Sequence, residues 1–386
     1  MAGTITARRL ITDIGEIEFP VLEIGEDGTL AEISSAPREL AGERDTLTAA
    51  FFDVHTHGAL GHDVMSASAV ELGAMQRFLA RHGVAHYLPT TVTAPVEATL
   101  RALASLADAV EAEPKEGEAQ PLGIHLEGPF LSHSKRGVHP ADELQRPSVE
   151  LFERFQTAAR GNIRLLTIAP ELPGAPELIA HAAARGVRVS LGHSNALERE
   201  ALDGVAAGAR CATHTYNAMR ALDHREPGVL GVALDDDRLY AELICDGIHV
   251  RPELVRLWLK AKGPERAILV TDAMSAAGMP DGEYRLGALA VRVAEGRALL
   301  AEDLARGTET LAGSVLTMDR AVANLRRFTS AGLGEATRLA SHTPAAMMGV
   351  PHRTRLAPGM AANLNRFDEQ DRLVATYLRG KRVGPA

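Results

Sequence analysis

Residues 49–63 read AAFFDVHTHGALGHD: an apolar run, then His55 and His57 one residue apart, then a glycine-rich turn that carries His62. Alternate side chains of a strand point to the same side, so His55 and His57 stand as parallel imidazoles at the end of a buried strand. Either they hold a metal or they are polar residues at a wet strand end. This stretch alone leaves both readings open.

The same kind of run recurs downstream: HYLPTTV (86–92), PLGIHLEG (121–128), IRLLTIAPE (163–171), RVSLGHS (188–194), CATHTYN (211–217), YAELICDGIH (240–249) and AILVTDA (267–273). Between most of them lie Ala/Leu-rich stretches such as 95–112, 175–185, 197–207 and 252–262. Continuous apolar strands alternating with helices predict a parallel sheet covered on both faces. Eight such units over about 300 residues favour a closed α/β barrel of the TIM-like (β/α)8 type. No G-x-G-x-x-G follows any of the strands, which weakens an open doubly wound sheet.

Both chain ends read differently. Residues 1–48 hold short strands, with Val21–Ile24 and Leu30–Ile33 flanking the turn Glu26-Asp27-Gly28, and LVATYLRGKRV near the C-terminus returns to strand-like text. The expected organisation is a catalytic barrel over 49–351 and a small β-sandwich domain built from 1–48 and 352–386. Residues 280–302 read as a hairpin inserted after the eighth strand, and Met318, Val322 and Leu325 keep helical spacing for a closing helix.

Composition narrows the function. The 386 residues are 46% hydrophobic and 24% charged, enough for one large and one small domain. No apolar run approaches membrane-spanning length, and the N-terminal MAGTITARRLITD lacks the apolar stretch of a signal peptide, so a cytoplasmic protein with no membrane partner is expected. Cys211 and Cys245 each lie inside an apolar run and imply no disulfide framework. A net charge of −9 argues against nucleic acid as a partner. An anionic small substrate would need local cations working against that field.

The carboxyl ends of the strands carry the chemistry. Strand 1 ends on His55 and His57, strand 3 on Glu127, strand 5 on His193, strand 6 on His214, strand 7 on His249 and strand 8 on Asp272. A lone histidine there is ordinarily a hydrogen-bonded structural residue, and an Asp in TDA can simply cap a loop. Independent structural residues have no reason to recur at one end of six strands, which is where barrel enzymes build their sites. Mixed imidazoles and carboxylates suit Zn²⁺, Co²⁺ or Fe²⁺. His125, two residues before Glu127, reads as buried behind it. His82, His86, His181, His224, His342 and His352 read as helix or loop residues without a ligand pattern, and His62 and His133 stay unassigned.

HLEGPF, KRGVH, SLGHS, THTYNAM, HREPG, CDGIHV, LVTDAM and LAGSVLTM, in this order, resemble the N-acetylglucosamine-6-phosphate deacetylases of the amidohydrolase superfamily. The resemblance runs from residue 51 to about 350. It implies one or two divalent ions (Zn, Fe or Co), with Glu127, His193 and His214 as the main ligands and His55 and His57 holding a second ion. It implies that Asp272 is the catalytic acid/base and that His139 polarises the substrate carbonyl. Asn217 and Ala218 would give backbone contacts to the sugar, His249 a side-chain contact, and Val138, Leu311, Ala312, Gly313 and Ser314 would line the pocket. Arg225 would bind the phosphate of a phosphorylated amino sugar in the neighbouring site of a homodimer. The chain departs from the family's Pro-Gly before strand 1 (here Ala49-Ala50), from its A-D-L (here Ala362-Asn363-Leu364), and from its glycine-rich run at Ala59 and Leu60.

The residue types suit amide hydrolysis in their own right: a divalent ion acidifies water to a pKa of roughly 7, and a carboxylate at the mouth moves the proton. Two alternatives remain: another amidohydrolase reaction, on a different N-acyl amino sugar or a cyclic amide, and a silent barrel used as an assembly protein. The second should have lost ligands, and none is missing.

Overall fold

The computed structural model describes residues 3–37 and 44–384. Eight parallel strands form the barrel wall: β1 (Phe51–Thr56), β2 (Val84–Thr91), β3 (Ile124–Glu127), β4 (Ile163–Ile168), β5 (Arg188–Leu191), β6 (Cys211–Ala212), β7 (Tyr240–Ile244) and β8 (Ala267–Val270). They pair in sequence order, and every residue of β1, β2, β3 and β8 is buried, as continuous apolar runs demand. The last strand returns to the first. Asp272 N donates to His55 O at 2.9 Å and His57 N to Ala273 O at 2.7 Å.

The outer layer is made of α1 (Ala69–Arg81), α2 (Val96–Glu111), α3 (Val149–Ala158), α4 (Ala175–Ala184), α5 (Glu198–Ala207), α6 (Gly228–Asp235), α7 (Pro252–Lys262) and α8 (Met318–Phe328). Helix α1 starts where Ser68 Oγ accepts from Glu71 N while Glu71 reaches back to Ser68 N, a capping box that satisfies two otherwise orphaned donors. Its Leu72, Met75 and Leu79 fall on one face and pack inward. Helix α8 buries Met318, Ala321, Val322 and Leu325, the spacing expected of the closing helix. In α3, Phe152 and Phe155 are fully buried, each contributing roughly 1.5–3 kcal/mol.

The chain ends share one six-stranded sheet, in which Leu364–Phe367 pairs with Thr46–Ala49 on one side and Leu373–Leu378 on the other. A three-stranded sheet (Gly3–Thr6, Pro20–Ile24, Leu30–Ser35) faces it across Leu10, Leu22, Leu30, Leu47 and Leu364. The departure at Asn363 is accommodated here: its Oδ1 accepts from Arg379 N at 2.9 Å and its Nδ2 lies 3.4 Å from His86 Nε2. His86 therefore belongs to strand β2, buried, and not to a helix or loop.

The insertion after β8 is also richer than a hairpin. Gly282–Leu286, Leu289–Ala294 and Arg297–Leu300 form a three-stranded antiparallel sheet. The first strand alternates exposed and half-buried residues and buries only Leu286, so its apolar signal is faint. Among the described residues no helix is long and apolar enough to cross a membrane.

Candidate active site

Backbone geometry at the strand ends aims the side chains. His193, His214 and Asp272 all have positive φ (+48°, +30° and +49°), a region ordinary residues avoid and strained sites use. Gly192 precedes His193 because a Cβ there would lie 2.7 Å from Thr213 Cβ.

The result is convergence. His55 Nε2 lies 3.2 Å from His57 Nε2, and His214 Nε2 lies 3.0 Å from His193 Nε2. Glu127 sits between the pairs, with Oε1 3.1 Å from His214 Nε2 and 3.2 Å from His193 Nε2, and Oε2 3.3 Å from His57 Nε2. Asp272 Oδ1 is 3.2 Å from His57 Nε2 and 3.5 Å from His55 Nε2.

The far side of three of these rings explains why their Nε2 atoms face inward. His57 Nδ1 donates to Thr90 O at 2.9 Å and His193 Nδ1 to Lys135 O at 2.9 Å. His55 Nδ1 lies 3.2 Å from the Glu242 carboxylate, and His214 Nδ1 has no protein partner among the described residues. With Nδ1 protonated, Nε2 presents its lone pair. Lone pairs facing each other at 3.0–3.2 Å need a proton or a cation between them. Among the described residues two donor groups lie close enough for an ion: His55, His57 and Asp272, and Glu127, His139 and His193. A buried set of imidazoles and carboxylates fits a divalent metal.

Electrostatics agree with a cation-shaped site. Burial opposes charge on His57, but hydrogen bonds to Asp272 and Glu127 outweigh it and push its pKa up to about 9. Burial would likewise raise Glu127, yet the His55 charge and bonds from His139, His193 and His214 hold it well below the usual carboxylate range. Asp272 is depressed in the same way by His55 and His57. His139 goes the other way, pushed down to about 4 by burial. Its Nδ1 accepts from Thr93 N at 3.2 Å, and an N–H can only donate, so the neutral ring carries its proton on Nε2.

A cavity of about 380 Å³ opens onto these groups. His57, Glu127, Val138, His139, His193, His214, Asn217, Ala218, His249, Asp272, Leu311 and Gly313 line it, together with Lys135 and Leu286. Two of the residues expected there are elsewhere. Ala312 packs in a small apolar cluster with Val138 and Met274, and Ser314 donates to Thr271 O at 2.6 Å, so both face away from the cavity on either side of a bend at Gly313 (φ +65°). Arg225 is exposed and outside the cavity. His125 lies beneath the site, its ring edge-on to His55, bonded to Thr167 Oγ1 at 2.8 Å.

Four residues with no place in the sequence reading support the site. Asp53 accepts from Thr271 Oγ1 at 2.5 Å, and burial pushes its pKa up to about 6. It shares the parity of His55 and His57, a cue the sequence does carry. Asp246 accepts from His249 Nδ1 at 2.6 Å, and in the neutral ring that leaves His249 Nε2 as an acceptor. Thr93 sets the His139 tautomer. Glu242 has no cue beyond being a carboxylate inside an apolar run.

The sequence model of the amidohydrolase family matches residues 46–383. An N-acetylgalactosamine-6-phosphate deacetylase of Escherichia coli O157:H7 is 37% identical over 99% of both chains, and an N-acetylglucosamine-6-phosphate deacetylase of Lysinibacillus sphaericus 36% identical over 92% of this chain and 91% of that one. The solved N-acetylglucosamine-6-phosphate deacetylase of Mycobacterium smegmatis, an aspartate-to-alanine mutant in complex with N-acetylglucosamine 6-phosphate, superposes with a TM-score of 0.91 at 35% identity and 98% coverage of each chain. Matched along nearly its whole length, with its convergent donors at the mouth of the barrel, this chain belongs to the amidohydrolase family.

Proposed function

We propose that this chain hydrolyses the acetamide of N-acetylglucosamine 6-phosphate, giving glucosamine 6-phosphate and acetate. The observation that carries the reading is a neutral Nε2–H donor, His139, and an ionised carboxylate, Asp272, facing one cavity beside the converging ligands. Glu127, His193 and His214 would hold one divalent ion, and His55 and His57 a second, with Zn²⁺, Fe²⁺ or Co²⁺ suited to the donors. When bound, a divalent ion polarises a carbonyl and makes water acidic enough to attack near neutral pH.

The protein's own groups do the rest. His139 donates from Nε2 to the acetyl oxygen as negative charge develops there. Asp272 accepts the proton of the attacking water and returns it to the amine nitrogen as the C–N bond breaks. Asn217 and Ala218 hold the sugar through backbone groups, and His249 accepts from a sugar hydroxyl. Val138, Leu311 and Gly313 shape the wall.

A guanidinium matches a phosphate bidentately, and the cavity wall carries Lys135 but no arginine among the described residues. Exposed Arg225 fits a role in the partner's site of a homodimer. Domain limits of 1–48 and 352–386 for the small β unit and 49–351 for the barrel, and a cytoplasmic location, complete the reading.

A second substrate has its own support, because the E. coli relative is named for the galacto epimer. The test is amine release from both N-acetylhexosamine 6-phosphates and from their unphosphorylated forms, on metal-analysed protein. The gluco 6-phosphate should be turned over fastest. No amine from either phosphate with metal bound would overturn the reading.

A further inference from the structure

Glu242 lies inside β7, fully buried at 0% exposure. Among the described residues no lysine or arginine pairs with it. Its one ion-pair partner is the His55 ring, 3.2 Å from Oε2. The same oxygen accepts from His214 N at 3.3 Å, and the Glu242 carbonyl accepts from Thr215 N at 2.8 Å. Oε1 meets only the weak donor Cys211 Sγ, at 3.9 Å. A carboxylate buried without a fixed cation is costly, and an apolar side chain would fill this place in the barrel at lower cost. The His55 contact is what the carboxylate is there to make.

That contact sets His55 apart. The other histidines assigned as ligands are backed by a neutral backbone carbonyl (His57, His193) or by no protein group among the described residues (His214). Of these ligands only His55 is backed by a carboxylate, an arrangement that fixes the tautomer, orients the ring and makes Nε2 a stronger donor. We infer that Glu242 is a positioning residue that locks His55 as an Nε2 ligand and thereby sets the affinity of the ion at the His55/His57 position, leaving the ion at Glu127, His193 and His214 largely untouched. This rests on the two-ion reading above. The backbone contact to Thr215 persists with any side chain at 242, and one oxygen serves both His214 N and His55 Nδ1, so a glutamine that keeps those two contacts removes only the negative charge behind His55.

The test is binding, not turnover. Metal-free protein is titrated with Zn²⁺ against a chromophoric chelator, and bound zinc is counted. Wild type should bind two equivalents. Glu242→Gln should keep the first affinity and weaken the second by about 10–100-fold. Glu242→Asp, which keeps the charge one methylene short, should fall between and guards against a misfolded amide variant. In a His55→Ala background Glu242→Gln should cause no further loss, a result a merely structural role would not give. Wild-type-like binding of both ions by Glu242→Gln, or equal weakening of both, overturns the inference. A wild-type chain that takes up one equivalent overturns the two-ion reading itself, and the inference with it.

Discussion

Replacing His139 by leucine separates two roles that its position permits. The ring lies 3.6 Å from Glu127 Oε2 and close enough to His193 to be a metal donor by proximity alone. Its hydrogen bonds decide otherwise. Thr93 N donates into Nδ1, so the proton is on Nε2, and a protonated nitrogen cannot ligate. Burial pushes its pKa down to about 4, so His139 is a neutral donor at pH 7. Losing one such donor to a developing oxyanion costs about 10²–10³-fold in kcat. Leucine also leaves the Thr93 N–H and hydroxyl without their shared acceptor, a loss of about 1–3 kcal/mol in stability. The expected variant binds wild-type metal, melts at a lower temperature and has kcat reduced by that factor. His139→Gln, which keeps an amide donor, should recover part of the rate. Steady-state kinetics beside metal analysis and a melting curve make the measurement. If bound metal falls in step with kcat, His139 is a ligand; if kcat stays within about threefold of wild type, the carbonyl is polarised by something else, and either result refutes the tautomer argument.

Glu127→Gln should lower bound metal and activity together, since this carboxylate touches both groups of donors; unchanged zinc in the variant would remove it as a ligand. Asp272→Asn should keep much of its metal while kcat falls about 10²–10⁴-fold, and near wild-type kcat would move the proton transfer elsewhere. Because the metal-free His57 pKa is raised to about 9, the ring is protonated below that pH and a metal must displace its proton. Metal uptake at pH 7 should therefore acidify an unbuffered solution, and apparent affinity should climb with pH towards about 9; uptake without proton release would contradict the site's charge state. Mixing inactive Asp272→Asn chains with inactive Arg225→Ala chains should restore activity if the arginine serves the partner's site, and no recovery despite proven subunit exchange would keep Arg225 in its own chain.

The barrel was legible because its strands are buried on both faces, so each reads as an unbroken apolar run with chemistry at its end. The site was legible for the same reason: His55, Glu127, His193, His214 and Asp272 interrupt apolar text at one end of successive strands and converge in space. What failed to show lies where signal and structure part. The strand Gly282–Leu286 alternates exposed and half-buried residues and carries little apolar pattern, though it brings Leu286 to the cavity wall. Ala312 and Ser314 flank a bend at Gly313 that the sequence does not orient against the cavity. Thr93 and Lys135 act through a backbone N–H and a backbone carbonyl, which no residue type announces.

Asp53 shows how site and fold depend on one another. Its carboxylate binds Thr271 Oγ1 and also accepts from Thr271 N and His55 N, each at 3.3 Å, so one buried side chain ties β1 to β8 where the barrel closes. The donors flank that seam: His55 and His57 follow Asp53 on β1, and Asp272 follows Thr271 beyond β8. The two imidazoles and the carboxylate crowded there need a proton or a metal ion between their lone pairs, and the groups beneath hold the seam in register. Asp53 supplies three hydrogen bonds across and along the seam, and Glu242 takes the far nitrogen of His55. The cation that the donors call for would then complete a closure that the protein has already begun, which makes ion binding and barrel integrity mutually reinforcing. Metal-free protein should accordingly lose protection from amide exchange first along β1 and β8, while β4 and β5, on the opposite wall, keep theirs. Uniform loss around the barrel would mean that closure does not depend on the site.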